Sequence, residues 1–433
     1  MSVKKIIISD NINLNIIETE KFKTNYFSVN FITKLKKDVA ALNALIPMIL
    51  KRGSAKYPNI LSISKKLEEL YAASFSANIK KQGENQILCF SSYTLNDKYI
   101  NGGINILTEI LDFFGEIIFN PLTEEETFKN SYVESEKNNL SDMIKSQIND
   151  KKYYAVKRCQ EEMCKDEVYG IPETGTIGDV QKITSGVLYK QYIDVINTSE
   201  IEMFFVGKCD IEQFTNKVKN LLKPIKHEKL TDFNTEVVKT VKEVKIISED
   251  QPVAQGKLSL GFRTGITLAD HNYHVFTVFN EIFGHSPVSK LFLNVREKLS
   301  LCYYCSSIPE PIKGIMIVTS GIEVENKEKV QSEILLQLEN MKNGSITLNE
   351  LDAAKNSIIN NYNEISDNPS YYKDWYLNRI LAGRFDSPDD AAEMIKTVTI
   401  DDIIEIAKNI KLDTVYFLRG TLTEESENND DSQ

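Results

Sequence analysis

The sequence predicts an α+β protein of two homologous domains, each a mainly antiparallel sheet with helices packed on one face. The main observation is an internal repeat, since one order of strands and helices occurs twice in 433 residues. In the first copy, apolar residues alternate over 26–32 and precede Asp38 and a helical apolar run. In the second copy, apolar residues alternate over 258–262 and precede Asp270 and a similar run. A period of two predicts a strand, and spacings of three and four predict a helix.

Later landmarks occur in the same order in both copies. They are Leu70 and Leu299, the strands 87–93 and 315–321, the helix openers Thr123 and Thr347, and the closing segments 183–207 and 398–420. The offset between copies falls steadily from 232 residues at Asp38 and Asp270 to 215 at Ile183 and Val398. Loop deletions within a collinear duplication produce such a trend, whereas chance similarity would scramble the order.

The helices of each copy also have recognisable starts and faces. Apolar residues at helical spacing predict a helix over 104–118 and its counterpart over 330–341. Thr123 and Thr347 are each followed three residues later by a glutamate. This pattern predicts a capping box, and therefore a helix start, in both copies.

These patterns define the predicted domain limits. The first domain spans 1–221, a linker spans 222–236, the second domain spans 237–420, and a tail spans 421–433. The linker loses apolar periodicity, as connecting segments do. The tail is acidic and polar, which predicts disorder.

Composition narrows the class of function. A net charge of −11 and a pI near 5.2 argue against nucleic acid as a partner, because phosphate neutralisation needs clustered Lys and Arg. The first residues do not resemble a secretory signal, and no stretch approaches the ~18 apolar residues of a membrane span. We therefore expect a cytoplasmic protein that needs no membrane. Cys302-x-x-Cys305 has redox or half-zinc spacing, but no second such pair exists, so packed free thiols are the simpler interpretation.

Several motifs carry a family resemblance. They are segments 51–54 and 67–71, Val168-Tyr169-Gly170 with Gly175-Thr176-Ile177-Gly178, and the stretch 283–303, which includes Ser289-Lys290-Leu291-Phe292 and Arg296-Glu297-Lys298. Together they resemble the pitrilysin/insulinase-type (inverzincin) zinc metallopeptidases, whose second domain carries SRLF followed by REK-x-GL-x-Y. The resemblance covers nearly the whole chain and implies two domains arranged as a clam-shell. Within the family, the chain is most similar to a bacterial, non-catalytic branch associated with protein modification.

The zinc motif of that family is missing from this chain. Active members carry H-x-x-E-H on the first long helix, where two histidines bind zinc and the glutamate acts as general base. The corresponding segment 43–50 contains no His, Glu or Cys, and the first histidine of the chain is His227. Glu134 and Glu136 lie where the resemblance implies a distal ligand, but one carboxylate cannot hold catalytic zinc. We interpret both as solvated helix charges and predict no catalytic residue, metal ligand or cofactor in this chain.

The resemblance also implies a binding role. Arg296 and Tyr303 fall on positions where the family holds substrate backbone, through the donors of Arg and the hydroxyl of Tyr. Without the resemblance they would be a solvated helix end and a strand aromatic. We predict a catalytically inactive, peptide-binding subunit of a heterodimeric metallopeptidase. Its partners would be a zinc-bearing homologous subunit, which holds the zinc, and a peptide or protein substrate.

Two alternatives remain open. His271, His274, Glu281 and His285 offer a second potential metal set, because the spacing of His274 and His285 places them on one helix face. An active zinc-dependent endopeptidase would need such a set. The other alternative is a purely structural assembly subunit, for which Arg296 and Tyr303 would be unnecessary.

Overall fold

The computed structural model describes residues 3–100, 105–226 and 233–422. The chain divides into two compact units, each assembled from three stretches of sequence. Unit 1 consists of 1–145, 171–234 and 365–381, and unit 2 consists of 146–170, 235–364 and 382–433. Each unit therefore includes one segment from the other half of the sequence. Parts of the predicted linker, 227–232, and of the predicted tail, 423–433, lie outside the described residues.

Unit 1 combines a mixed sheet with a layer of helices. Its strands are β1 (Lys4–Ser9), β2 (Ile12–Glu18), β3 (Thr24–Lys34), β4 (Ser76–Gln82), β5 (Asn85–Leu95), the short β6 (Thr123–Glu124) and β7 (Thr127–Phe128), and β8 (Glu200–Gly207). Its helices up to residue 221 are α1 (Ala40–Leu50), α2 (Ile60–Glu69), α3 (Ile106–Phe119), α4 (Asn130–Ser146), α6 (Ile177–Gln181), α7 (Ser185–Thr198) and α8 (Ile211–Leu221). The segment 365–381 adds α12 (Pro369–Leu381).

Unit 2 repeats the arrangement with one strand fewer in its sheet. Its strands are β9 (Lys245–Gln251), β10 (Gly256–Arg263), β11 (Cys302–Glu310), β12 (Ile315–Ile322) and β13 (Lys411–Gly420). Its helices are α5 (Lys151–Met163), α9 (Tyr273–Asn280), α10 (Lys327–Lys342), α11 (Leu348–Glu364), α13 (Pro388–Thr397) and α14 (Ile400–Ala407), with π-helical turns at Glu281–His285 and Phe292–Lys298.

The two sheets share one strand order. The sheet of unit 1 runs β1-β2-β8-β3-β5-β4, and that of unit 2 runs β9-β13-β10-β12-β11 when read in the matching direction. Both contain a single parallel pair among these strands, β2 with β8 and β9 with β13, and the other pairs are antiparallel. The predicted duplication and the predicted fold class are therefore confirmed.

Each sheet buries one face against its own helices. Phe27, Val29 and Phe31 of β3 alternate toward the helical layer of unit 1, and Leu258, Leu260 and Phe262 of β10 do the same in unit 2. Side chains two residues apart on a strand share a face, so these are the alternations read in the sequence.

The opposite face of each sheet carries one additional helix. In unit 1, Tyr372, Tyr376 and Leu377 of α12 pack against Phe204 and Val206 of β8. In unit 2, the corresponding apolar residues of α5 (Ala155, Cys159 and Met163) pack with residues of β12 and β13 (Ile315, Ile317, Tyr416 and Leu418). The prediction placed helices on one face only, and these two helices extend it, because each comes from the other half of the sequence.

One predicted helix start is wrong and its counterpart is confirmed. Thr347 and Glu350 form a capping box, since the Glu350 amide donates to Thr347 Oγ1 at 3.2 Å and the Thr347 amide donates to Glu350 Oε2 at 2.8 Å. Thr123 instead begins the β6–β7 hairpin, and Glu125 and Glu126 turn the chain with φ of 51° and 58°. The following helix, α4, begins at Asn130. Within the described ranges, no helix combines the length and apolarity needed to cross a bilayer.

Candidate functional site

The helix that would carry the zinc motif is part of the hydrophobic core. Every residue of α1 except Met48 is buried. A helix that is buried on all sides carries mainly apolar side chains, so this helix has few polar groups. Its buried Asn43 is a structural contact, because Asn43 Nδ2 donates to Gln86 Oε1 of β5 at 2.8 Å and fixes the helix on the sheet. This helix therefore offers packing rather than metal ligands.

The end of α1 meets the long helix α4 through an ion pair that the sequence did not reveal. Arg52 Nη1 lies 3.3 Å from Glu136 Oε1, and the Glu136 side chain is 7% exposed. Asn139 Nδ2 donates to Glu136 Oε2 at 3.0 Å, and the Arg52 guanidinium lies 4.8 Å from the Tyr132 ring centroid. Arg52 is thus held in place by a carboxylate and an aromatic face.

The two glutamates expected at the distal-ligand position have different surroundings. Glu134 is exposed and accepts from Lys137 at 3.0 Å, as predicted for a solvated helix charge. The same interpretation is wrong for Glu136, which is buried and paired. The signal that could have found this pair is the arginine directly after α1, since a buried carboxylate needs a cation nearby.

A cavity opens beside this ion pair within unit 1. Its volume is about 500 Å³. It lies between α1, α2, β4 and α4, and its lining combines apolar side chains (Met48, Ile60, Ile63, Leu67, Phe75 and Ala77) with polar ones (Lys51, Arg52, Ser64, Glu136 and Asn139). β4 is the outermost strand of its sheet. The cavity can therefore accept an apolar group beside an edge strand, and at its polar end the charges of Arg52 and Glu136 offset each other.

The described residues do not assemble a metal site. Among them, no three or more His, Cys, Asp or Glu side chains are placed to hold a metal ion. Glu281 is buried and accepts a hydrogen bond from Ser357 Oγ at 2.7 Å. His271 and His285 are exposed, and burial lowers the pKa of His274. The alternative set around Glu281 is therefore not brought together, because its carboxylate faces the core and two of its histidines face solvent.

Tyr303 lies at the start of the edge strand β11 in unit 2, and Arg296 precedes that strand. Arg296 is in the π-helical turn Phe292–Lys298, is 42% exposed, and lies 4.6 Å from the Phe292 ring centroid. Its Nε is 3.6 Å from Glu297 Oε1. Tyr303 is 53% exposed, and its hydroxyl donates to the Glu323 carboxylate. Both side chains reach the surface with hydrogen-bonding atoms, in positions fixed by neighbours of the same unit.

A β-bulge positions Tyr303. Cys302 pairs with Ile322 and Tyr304 pairs with Gly321, so two steps along β11 correspond to one step along β12. Tyr303 is the extra residue of this bulge. Bulges redirect a side chain at the edge of a sheet, which accounts for its exposure on a strand whose next residues are half-buried or buried.

Comparison with known proteins connects these features to one family. Residues 182–358 match the family described as Peptidase M16 inactive domain. The chain is 36% identical to the "Probable inactive metalloprotease YmfF" of Bacillus subtilis, over 94% of this chain and 95% of that protein.

Solved structures agree with this match. A conserved protein from Enterococcus faecalis superposes with a TM-score of 0.89 at 31% identity, covering 97% of this chain and 99% of that one. A peptidase M16 inactive domain from Pseudomonas fluorescens superposes with a TM-score of 0.79 at 16% identity, covering 98% and 99%. The second likeness concerns the fold alone.

Proposed function

Because this chain belongs to the M16 peptidase family yet has no histidine before His227, we propose that it is a catalytically inactive, peptide-binding subunit. It works with a zinc-bearing homologue and contributes no metal of its own. Together, this chain and its zinc-bearing homologue act in the processing or modification of proteins. The single observation that carries this proposal is the Arg52–Glu136 pair beside the cavity of unit 1.

The ion pair supports a role without chemistry. Zinc catalysis requires a cation with an open coordination position where water can bind and lose a proton. Here the cation beside the buried carboxylate is a guanidinium, which stays protonated and has no position for a water ligand. The carboxylate is thereby neutralised by a side chain that cannot activate water.

Two features support a role in peptide binding. β4 and β11 are the outermost strands at matching ends of their sheets, and extended peptides bind such edges through main-chain hydrogen bonds. β4 borders the cavity of unit 1, while in unit 2 Tyr303 stands at the start of β11 and Arg296 lies in the π-helical turn that precedes it. Exposed Arg and Tyr side chains add little to stability, so stability alone does not account for Arg296 and Tyr303, whereas peptide binding does.

A cytoplasmic setting belongs to the same proposal. All six cysteines lie in the described ranges and are free thiols, including four that are buried. Structural disulfides are common in oxidising compartments and rare in reducing ones. Free thiols in each core therefore suit a protein that folds where thiols stay reduced.

The test is peptide turnover by the reconstituted pair. The chain is purified with a homologue of similar size that carries H-x-x-E-H, and the Arg296→Ala/Tyr303→Phe variant is compared with the unmodified chain. Each lost hydrogen bond in a partly desolvated site is worth about 0.5–3 kcal/mol. We therefore expect peptide capture to weaken about tenfold or more, because tenfold corresponds to only ~1.4 kcal/mol.

A matched control separates binding from general surface effects. Arg419 is 52% exposed and Tyr371 is 51% exposed, similar to the tested residues. The Arg419→Ala/Tyr371→Phe variant should leave turnover unchanged. If the unmodified chain and both double variants give equal turnover and equal melting temperatures, Arg296 and Tyr303 do not bind the peptide. That result would favour the structural-subunit alternative. Turnover by this chain alone would support the endopeptidase alternative.

A further inference from the structure

We propose that a lysine patch at one end of the unit 2 sheet is a docking surface for the acidic stretch 424–431 of this same chain. The patch consists of Lys151 and Lys152 at the start of α5 and Lys257 near the start of β10. The acidic stretch lies outside the described residues, and the patch has no part in the peptide-binding role proposed above. We identify the occupant by its charge and by the place where the chain leaves the sheet.

Lys152 and Lys257 lie close together on the face of the sheet that α5 covers. Leu258 faces the helical layer, so the preceding residue, Lys257, faces the opposite side, where α5 packs. Lys257 of β10 is paired with Gly321 of β12, which is paired with Tyr304 of β11. The Tyr304 ring lies against Gly321, since a Cβ atom on that glycine would come within 2.6 Å of the ring. Lys152 Nζ lies 4.4 Å from the centroid of the same ring, so the two lysines are neighbours across β12.

Lys151 lies at the place where the chain leaves the sheet. Its Nζ donates to Gln251 Oε1 at 3.5 Å, at the end of β9. The carbonyl of Gln251 accepts a hydrogen bond from the Thr421 amide at 3.0 Å. Thr421 follows the last residue of β13 and stands three positions before Glu424. The acidic stretch therefore begins within a few residues of the patch.

The positive charges of the patch are available to further carboxylates. Lys151 and Lys257 donate to the side-chain amides of Gln251 and Gln255, and Lys152 contacts an aromatic face. Within the part of the chain that the structure describes, none of the three ammonium groups forms an ion pair.

The acidic side chains around the patch are engaged with other donors. Asp150 caps α5 through the Tyr153 amide, Glu249 accepts from the hydroxyls of Tyr154 and Tyr416, Glu323 accepts from the hydroxyl of Tyr303, and Asp250 pairs with Arg419. The patch therefore offers three lysines to an acidic segment without first having to break an ion pair among the described residues.

The charge and length of the stretch 424–431 suit the patch. Its acidic residues are Glu424, Glu425, Glu427, Asp430 and Asp431. From β13 to β11 the sheet is three strand spacings wide, or about 14 Å at ~4.8 Å each. Eight extended residues span up to about 27 Å, so the stretch can cross the patch from Lys151 to Lys152. A tethered segment meets its site at an effective concentration on the order of mM, so contacts that are weak between separate molecules suffice.

The docked stretch would lie beside the edge strand of unit 2. Lys152 contacts Tyr304, the residue that follows Tyr303 on β11. An acidic segment that reaches Lys152 therefore brings its chain and its negative charge next to Tyr303. Docking should then weaken peptide capture by the reconstituted pair, and this consequence alone rests on the proposed function. Docking itself does not depend on it.

The first experiment crosslinks the full chain with a water-soluble carbodiimide. The reagent joins a carboxylate to an amine as an amide and takes up the released water to become a urea. Peptide mass spectrometry then locates the joined residues. We expect 424–431 to be joined to the patch at least tenfold more often than to the exposed control lysines of unit 2, which are Lys239, Lys408 and Lys411. In 1 M salt this preference should disappear, because the screening length falls to about 3 Å.

A second measurement uses a full-length variant whose acidic stretch is neutral, with Gln or Asn at its five acidic positions. A fluorescent peptide of residues 421–433 should bind this variant about tenfold more tightly than the unmodified chain, whose own stretch competes for the patch. In the neutral background, Lys151→Gln/Lys152→Gln should weaken peptide binding about fivefold or more. The matched control, Lys408→Gln/Lys411→Gln, should leave it unchanged.

Equal peptide affinity of the unmodified and neutral chains would overturn the proposal, as would an affinity that the Lys151/Lys152 variant does not change. Crosslinks spread evenly over patch and control lysines would also overturn it. In a mixture of ordinary and ¹⁵N-labelled chains, crosslinks that join only different chains would assign the surface to the acidic stretch of a second copy instead. If docking occurs but the neutral and unmodified chains support equal turnover in the reconstituted pair, only the link to Tyr303 fails.

Discussion

Arg52 Nη1 and Glu136 Oε1 lie 3.3 Å apart at the end of the cavity in unit 1. The resemblance to zinc peptidases implies a distal ligand at Glu134 or Glu136, and of these two only Glu136 is buried, with a guanidinium beside it. A carboxylate that is 7% exposed is costly without a positive neighbour. The arginine therefore supplies the positive charge that this buried carboxylate needs.

Removing the cation should destabilise unit 1. Arg52→Met leaves Glu136 buried without that ion pair, and we expect the free energy of unfolding to fall by about 1–3 kcal/mol. This is less than the roughly 3–5 kcal/mol lost when a fully buried pair is broken, because Arg52 is 28% exposed. Urea unfolding measures the change. The Arg52→Met/Glu136→Met double variant should recover at least half of it. Glu134→Gln, on the exposed side of the same helix, should change stability by less than about 0.5 kcal/mol.

The purified chain should bind no stoichiometric zinc. Unit 1 contains no histidine among its described residues, and the Glu136 carboxylate is already paired. Elemental analysis after mild dialysis should therefore give a small fraction of one zinc per chain, and peptides should remain uncut. About one zinc per chain that disappears in the His274→Ala/His285→Ala variant would contradict this prediction and favour a site in unit 2.

Local patterns were sufficient to predict the repeat and most of its elements. Phe27, Val29 and Phe31 alternate because one face of β3 is core, and the matched alternation to Phe262 has the same cause. The pattern failed at Thr123, where a Thr followed by a glutamate three residues later suits a turn as well as a helix start. Tertiary structure decides there, since the β6–β7 hairpin forms beside the Ser54–Pro121 bridge.

Other features depend on pairs of residues far apart in sequence. The helical spacing of Ala155, Cys159 and Met163 marks a buried face but not which sheet it covers. No local spacing connects Arg52 with Glu136, which is 84 positions away, so the sequence does not predict that they pair. The bulge at Tyr303 likewise depends on the register between β11 and β12, which cannot be read from the sequence of β11 alone.

The stability of unit 1 should include a contribution from Glu200 that weakens as the pH rises. Burial and the adjacent Glu202 carboxylate raise the pKa of Glu200 from 4.5 to about 7. The folded state therefore binds this proton more tightly than the unfolded state, so the contribution is full below pH 4.5 and is lost as the pH rises through 7. Relative to the unmodified chain, the free energy of unfolding of Glu200→Gln should rise by about 1–2 kcal/mol as the pH goes from 5 to 8, after allowance for solvent screening.

Urea unfolding at pH 5, 6, 7 and 8 measures this difference. Glu18→Gln is the control, since Glu18 is an exposed carboxylate at the end of β2, and it should show no such trend. Parallel stability curves for the unmodified chain and Glu200→Gln would show that Glu200 titrates as it does in the unfolded chain.

Glu167 should hold the segment 146–170 in unit 2. Its Oε1 lies 2.6 Å from Arg263 Nη2 and its Oε2 lies 2.7 Å from Lys313 Nζ, and both cationic side chains are at most 3% exposed. Burial raises the pKa of Glu167, but the hydrogen bonds from Arg263 and Lys313 outweigh it, and the net pKa is lowered. Glu167→Gln leaves two buried cations with less negative charge and should cost about 3–5 kcal/mol at pH 7. A carboxylate whose pKa is lowered in the folded state stabilises the fold above its unfolded pKa, and this stabilisation is lost in acid. The cost of Glu167→Gln should therefore shrink as the pH falls below about 4.

Hydrogen exchange over 151–170 reports the effect directly, with faster exchange expected in the variant. Asp166→Asn, which changes the exposed neighbouring carboxylate, should exchange like the unmodified chain. Equal protection in all three proteins would mean that the apolar face of α5 alone holds this segment in place.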